Sequence, residues 1–230
     1  MTITPATLIR SSGVAAVAAG LIFIGVQINH PHLDAGSITT TEMAVRSSLK
    51  VLMAVLAVVG ITGMYLRQVK QIGVLGLIGY LVLGTGYLLM MNTAFVGGYV
   101  LPSVAGTDPS YVNDVLAAAT GGSATGDIGL LQTAILVQTI GYLAGGLIFG
   151  VALYRARVLA RWAAVLLAVG GLVTAALSVM PDAFYRLLAF PNGIAMIALG
   201  SSLWLTARTV TTTGPAAADT SVLPVRSAHS

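Results

Sequence analysis

Two histidines lie close together where the first apolar segment of the chain ends. The sequence His30-Pro31-His32 is followed by Asp34. Neutral imidazoles and carboxylates are ligands for zinc and other divalent ions, and His-x-His spacing occurs in such sites. His30, His32 and Asp34 are therefore candidate metal ligands, although nothing in the sequence requires a cofactor. The alternative is a polar turn in which proline ends the helix.

A charged group follows, at the start of the second apolar segment. Glu42, Arg46 and Lys50 are spaced by four, which places them on one face of a helix. Glutamate before arginine at this spacing is the favourable order for a helical ion pair. Because charge near a membrane is costly, we take these residues as the candidate catalytic cluster, contacting an anionic headgroup or substrate. The alternative is that Lys50 extends along the helix to reach the membrane surface.

The other polar residues within the apolar segments carry no charge at neutral pH. They are Asn92, Thr93, Gln132, Gln138, Thr139, Tyr142, Thr174 and Asn192. Such side chains join helices by hydrogen bonds or line a small cavity. The candidate ligand-binding residues among them are Asn92, Gln132, Gln138, Tyr142 and Asn192. Bonding between helices is the competing interpretation, because proton relays and coupling-ion sites usually need Asp, Glu or His at depth.

The motifs of common catalytic families are missing from this sequence. It contains no Gly-x-Ser-x-Gly elbow, no His-Glu-x-x-His, no Gly-x-x-x-x-Gly-Lys-[Ser/Thr] and no paired acidic motif for diphosphate and magnesium. The absence of cysteine also excludes disulfides, thiolate metal sites and cysteine nucleophiles. Whether the protein is an enzyme therefore stays open at this point.

Composition indicates a membrane protein. The chain is 57% hydrophobic and 8% charged, whereas soluble domains contain about 25% charged residues. A core of this chain length could not hide so much apolar surface, so the lipid bilayer is the predicted partner. The net charge of +4 does not indicate nucleic-acid binding, because the basic residues lie at the ends of apolar runs and not in a patch with aromatic residues.

Six segments are long enough to cross the hydrocarbon core, which needs about 20 apolar residues. The predicted fold is therefore all-α, a polytopic transmembrane helix bundle of about six spans over residues 1–208. The predicted spans are approximately 12–29, 46–66, 72–96, 128–153, 158–180 and 187–207. The alternative for the first span is a secretory signal, but no small-x-small cleavage site follows it closely. Pro191 is expected to kink the sixth span.

The charges of the loops predict the orientation, since basic residues in short loops favour the cytoplasm. Such residues occur between spans two and three and between spans four and five: Arg67, Lys70, Arg155, Arg157 and Arg161. The longer segment 98–127 carries aspartates and no Lys or Arg. We therefore predict that both termini are cytoplasmic. Arg46 and Lys50 weigh against this orientation, because it places them on the outer side.

Two segments outside the spans have a predicted structure of their own. In the outer loop 98–127, Asp108-Pro109 is typical of an N-cap followed by a first-turn proline, which predicts a short helix over 108–119. This helix should lie on the membrane surface or cover the bundle. Residues 209–230 are rich in Thr, Ala, Ser and Pro, and we predict a disordered cytoplasmic tail.

Glycines recur at short spacings in the third and fourth spans. They are Gly73, Gly76, Gly79, Gly84 and Gly86, and then Gly141, Gly145, Gly146 and Gly150. Spacings of three and four place small residues on one helix face, where backbones can approach closely. We expect these helices to be buried in the bundle, or their glycine-rich faces to bind a second copy or another membrane protein. The alternative is that glycine is common in membrane helices.

Four short elements are spread along the chain before the fifth span. They are Arg10-Ser11-Ser12-Gly13 through Gly20-Leu21-Ile22-Phe23, His30-Pro31, the stretch from Gly63 to Arg67, and Arg161-Trp162-Ala163-Ala164. Together they resemble a loose group of uncharacterised multipass integral membrane proteins of GC-rich bacteria. The resemblance implies a location in the bacterial cytoplasmic (inner) membrane. It supplies no activity and no catalytic residues.

Three functions are consistent with this sequence. The first is a structural, partner-binding or small-ligand-binding bundle, favoured by the lack of deep ionisable residues. The second is an enzyme acting on a lipid or isoprenoid at the outer leaflet, which requires the histidines and Glu42 to converge on a shared cavity. The third is a small-solute transporter, favoured by the break at Pro191 and by a faint repeat between the stretches ending at Arg67 and Arg155. We rank the first highest.

Overall fold

The chain folds into α-helices joined by turns. The structure is a computed structural model, and it describes residues 4–177 and 189–212. The helices are α1 (Pro5–Gly25), α2 (Thr41–Arg67), α3 (Val69–Phe95), α4 (Leu101–Val104), α5 (Pro109–Ala119), α6 (Leu130–Ala156), α7 (Arg161–Leu177) and α8 (Ala189–Thr212). These two described ranges contain no β-strand, so the all-α prediction is confirmed.

Four stretches of helix are long and apolar enough to cross a membrane, as judged by length and composition. They are α1, α2, α6 and the continuous stretch Val69–Val104. α7 contributes a shorter apolar helix. The predicted fifth span ends, and the predicted sixth begins, among residues 178–188, which lie outside the described residues. The described chain thus has the helices of a membrane protein.

Helical backbone continues beyond the predicted end of the third span. α3 runs through a π-helical turn at Val96–Val100 into α4, where the sequence predicts the start of a loop at residue 98. α5 then occupies the segment in which the sequence predicts a short helix. Its N-cap is Asp108, whose carboxylate accepts a hydrogen bond of 3.0 Å from the Tyr111 backbone N–H.

The last described helix extends past the predicted start of the disordered tail. α8 continues to Thr212, whereas the sequence predicts the tail from residue 209, and residues 213–230 lie outside the described part. Pro191 lies in the first described turn of α8. Because residues 178–188 are not described, the kink expected at Pro191 stays a prediction.

The six longest helices form a closed ring. α1 packs against α2 and α8, α3 packs against α2 and α6, and α7 packs against α6 and α8. The contact between α1 and α8 depends on glycines on both helices. The Gly200 carbonyl oxygen lies 2.8 Å from the position that a Cβ on Gly13 would occupy, and the Gly193 oxygen lies 2.5 Å from the equivalent position on Gly20. The two helices are therefore antiparallel and in backbone contact.

The glycine-rich faces of α3 and α6 pack against each other, a pairing that the glycine spacings did not specify. A Cβ on Gly79 would lie 2.5 Å from the Phe149 backbone nitrogen, and one on Gly86 would lie 2.6 Å from the Tyr142 nitrogen. Only glycine allows helices to approach this closely. Gly84 is different, because its nearest neighbour across the bundle would be a side-chain carbon at 3.9 Å. Spacing alone did not distinguish it from the contact glycines.

Candidate ligand-binding cavity

A cavity of about 230 Å³ lies between α1, α2, α3, α5 and α6, at the end of the ring covered by α5. Its apolar lining includes Phe23, Met43, Met53, Met90 and Leu116. Its polar lining includes Ser47, Lys50, Thr93, Gln138 and Tyr142. A largely apolar hollow with a few converging polar groups is the usual form of a small-molecule site.

α5 covers the cavity because it is amphipathic and is attached to the loop before α2. Val112, Val115 and Leu116 are buried in an apolar cluster with Ile38 of that loop. On the same helix, the Asn113 side-chain oxygen accepts a 2.9 Å hydrogen bond from the Ala35 backbone N–H. The two connections between long helices therefore hold each other over the cavity.

Lys50 is the charged residue of the cavity wall, and it contacts His30. The Lys50 Nζ lies 3.1 Å from His30 Nε2, and His30 Nδ1 lies 2.9 Å from the Pro31 carbonyl oxygen. A carbonyl can only accept, so Nδ1 carries a hydrogen. A neutral ring then accepts from the lysine ammonium, and a neutral lysine would accept from a charged ring. A neutral lysine amine can also donate to a neutral ring, so this hydrogen bond alone does not fix the charge of the pair.

Arg46 caps the end of α1. Its Nη1 donates to the carbonyl oxygens of Val26 (2.8 Å) and Ile28 (3.2 Å), and its Nη2 donates to that of Asn29 (3.1 Å). Carbonyls at a helix C-terminus lack helical partners, and a cation there is favoured by the helix dipole. Glu42 forms an ion pair of 2.7 Å with the same guanidinium. The charged cluster is thus divided: Glu42 and Arg46 anchor α1, and Lys50 lines the cavity.

Tyr142 carries a buried hydroxyl whose polar neighbour is the hydroxyl of Tyr87, which lies beyond ordinary hydrogen-bond distance. Its ring makes edge contacts with Phe23 and Tyr87, and the residue is 9% exposed. Its hydroxyl is buried and forms no hydrogen bond within the described ranges. A buried polar group without a partner costs about 1 to 3 kcal/mol. This cost arises inside the packed helices, because the hydroxyl oxygen is too enclosed to contact a molecule in the cavity.

Gln138 lies one helical turn from Tyr142 and is bonded to α3. The Thr93 hydroxyl donates to the Gln138 side-chain oxygen. This bond orients the amide, because an oxygen that accepts from a hydroxyl leaves the NH₂ group as the donor on the other side. The predicted ligand-binding residues Gln138 and Tyr142 therefore both line the cavity, and Thr93 lines it as well.

The other three predicted ligand-binding residues lie elsewhere. Asn92 and Gln132 are exposed and do not line this cavity. Asn192 is 2% exposed and packs against Gly170 of α7. Its Nδ2 has no hydrogen-bond partner among the residues that the structure describes. Asn192 thus belongs to the contact between α7 and α8.

The predicted metal ligands occupy different environments. His30 is buried and His32 is exposed. The Asp34 carboxylate accepts a 2.7 Å hydrogen bond from the Ser37 backbone N–H, which lowers the pKa of that carboxyl below its usual value. Across residues 4–177 and 189–212, no three His, Asp or Glu side chains converge as a metal site would require. Metal binding at this turn stays a prediction.

Several residues of the cavity were missed by sequence reasoning. Phe23, Met53 and Met90 resemble every other apolar residue of a span, and only the crossing of helices far apart in the chain assembles them. No protein-family model, curated protein or solved structure matches this chain. Inferences about its function therefore rest on the residues and their geometry.

Proposed function

We propose that the chain is a protein of the bacterial inner membrane with six spans, and that its bundle binds a small ligand in the cavity beneath α5. The four helices that could cross a membrane support the membrane location. α7 and α8 close the ring with them, which supports six spans. With both termini in the cytoplasm, the cavity lies at the outer end of the bundle.

One observation carries the ligand-binding proposal: the cavity combines an apolar wall with a cationic side chain, Lys50, that forms no ion pair with a described residue. Lys50 lies in this wall, with Phe23 and Met53 among the apolar residues that line the same space. A purely structural bundle gains nothing from leaving such a space between its helices, since filled cores are more stable. Glu42 and His32, which the outer-leaflet enzyme needs, do not line the cavity, and we do not propose that activity.

Photolabelling with a neutral probe tests this function. The purified protein in phosphatidylcholine nanodiscs is exposed to a diazirine-bearing octanol, and the adducts are located by mass spectrometry. We expect adducts on cavity residues such as Met53 and Met90, and we expect excess octanol to compete with them. Ala94→Phe fills the cavity from a lining position and should remove these adducts.

The matched control adds the same side chain outside the cavity. Val137 is 45% exposed and does not line the cavity, so Val137→Phe should retain the labelling pattern. Thermal unfolding confirms that both variants are folded. Adducts scattered over exposed helix surfaces, unaffected by octanol and by Ala94→Phe, would show that the cavity binds nothing.

A further inference from the structure

We infer that the ligand of this cavity is a single-chain amphiphile with an anionic head, of which an alkyl carboxylate is the simplest form. The inference rests on the proposed function, because it names the class of molecule bound at the same place. Its head group contacts Lys50, and its apolar part lies against the methionines and Phe23.

The charge of the cavity wall is the first argument. Within the described ranges, the only ion pair joins Glu42 to Arg46. Lys50 makes its hydrogen bond to His30, and no carboxylate of the described chain pairs with it. A partly buried cation that lacks an anion favours an anionic ligand, because pairing offsets the loss of water around the charge.

The hydrogen bond to His30 leaves Lys50 with further donors for a ligand. An ammonium has three donors, and His30 takes up one position of the Lys50 Nζ. The other donors of the Lys50 ammonium bond to no carboxylate of the described chain, so an anionic head group can take them. Arg46 adds no further demand, because its guanidinium is already bonded to the α1 carbonyls and to Glu42.

The other residues that line the cavity indicate the chemistry of the rest of the ligand. Phe23, Met53 and Met90 supply an apolar surface, and methionine adapts to irregular shapes because its side chain is flexible and polarisable. Gln138 adds a neutral amide to the wall on α6. At about 230 Å³ the cavity is smaller than the roughly 300 to 1,000 Å³ of sites for drug-sized ligands. One short chain fits this space, and the two chains of a phospholipid do not.

A charge-matched pair of probes tests the inference. Diazirine-bearing octanoate and the corresponding octanol differ only in the head group, and both are used on the full chain in uncharged phosphatidylcholine nanodiscs. We expect the carboxylate to label cavity residues at a half-saturating concentration about tenfold lower than the alcohol, which corresponds to about 1.4 kcal/mol. In Lys50→Met, the ratio of the two concentrations should fall to about one.

Lys70→Met is the matched control, because it removes an exposed positive charge at the opposite end of α2 and α3. It should retain the preference for the carboxylate. Equal labelling of the wild type by both probes, or an unchanged preference in Lys50→Met, would overturn the anionic head while leaving the proposed function intact. Failure of both probes to label the cavity would overturn the proposed function itself, and the inference with it.

A final arm separates a free carboxylate from a lipid headgroup. Phosphatidylglycerol is added to the nanodiscs, which presents an anionic headgroup on two chains. We expect labelling by the octanoate probe to be unchanged. Displacement of the probe by this lipid would overturn the assignment to a single-chain ligand.

Discussion

The two ends of the helix ring hold the same helices together in different ways. Towards the short turns after α2 and α6, the backbones of α3 and α6 touch, with Gly79 against Phe149. Towards α5, the two helices line a cavity, and long side chains such as Met90 occupy its wall. Gly86 marks the transition, because its backbone packs against Tyr142, and Tyr142 also lines the cavity.

This difference separates the part of the molecule that fixes its shape from the part that can adapt. Backbone contact through glycine leaves no space and no alternative rotamer. Methionine has three rotatable bonds and fills irregular gaps in several conformations. The end with the glycine contacts is therefore suited to rigid packing, and the end with the cavity is suited to binding molecules of different shape.

The largest expected effect concerns the side of the membrane on which each end lies. The chain has no cysteine, so single cysteines report without interference. Ser123 and Gln71 are exposed at opposite ends of the bundle. In right-side-out vesicles, a membrane-impermeant maleimide should label Ser123→Cys fully and Gln71→Cys only after permeabilisation, because positively charged turns stay inside. The reverse pattern would place the cavity at the cytoplasmic end.

A smaller but still severe effect is expected from enlarging one glycine of the contact between α3 and α6. Gly79→Leu places a side chain where the Phe149 backbone lies, so the helices must separate. We expect a loss of about 3 kcal/mol in the free energy of unfolding, measured as a lower Tm in detergent.

Gly84→Leu is the control for this variant, since it changes the same residue type in the same helix. Its added Cβ has no neighbour across the bundle nearer than 3.9 Å. The Tm should stay close to that of the wild type. Equal losses in both variants would mean that the contact between α3 and α6 does not determine stability.

The smallest effect is expected at the other end, where directional bonds replace backbone contact. Arg46→Gln removes hydrogen bonds to the last carbonyls of α1 and should cost about 2 kcal/mol. Glu42→Gln removes only the ion pair to a residue whose side chain is 57% exposed, and such pairs contribute about 0 to 1 kcal/mol. Thermal unfolding compares the two. If Glu42→Gln is the more damaging, the ion pair and not the cap holds this end together.

The sequence allowed the local features of this fold to be predicted, and it failed where distant residues meet. Apolar segment length and glycine spacing are properties of one helix, so the long helices and the presence of small-residue faces on α3 and α6 could be predicted, but the pairing of these two faces could not. Arg46 weighed against the predicted orientation because sequence rules treat arginine as a topology signal. In the structure, Arg46 donates a hydrogen bond to the carbonyl of Val26 at the end of α1, twenty positions earlier in the chain. This bond explains why an arginine occupies position 46.

The site was predicted only in part for the same reason. Gln138 and Tyr142 share a helix face, and the periodicity of α6 relates them. Lys50 and His30 are also twenty positions apart, and no local pattern indicates that they touch. The pairing of α1 with α8 was likewise not predicted, because its contact glycines are seven residues apart in each helix, Gly13 with Gly20 and Gly193 with Gly200, and not at the spacings of three and four that drew attention to α3 and α6.

That pairing has a consequence for the order of assembly. α1 is synthesised first and α8 last, so the two can pair only after the helices between them have been made. During synthesis the glycine face of α1 is in contact with lipid or with other helices until α8 arrives. Contacts between residues so distant in the chain form slowly, because the intervening chain must first be arranged. The ring therefore closes as a late step of folding, after the cavity wall formed by α1, α2, α3 and α6 has been made.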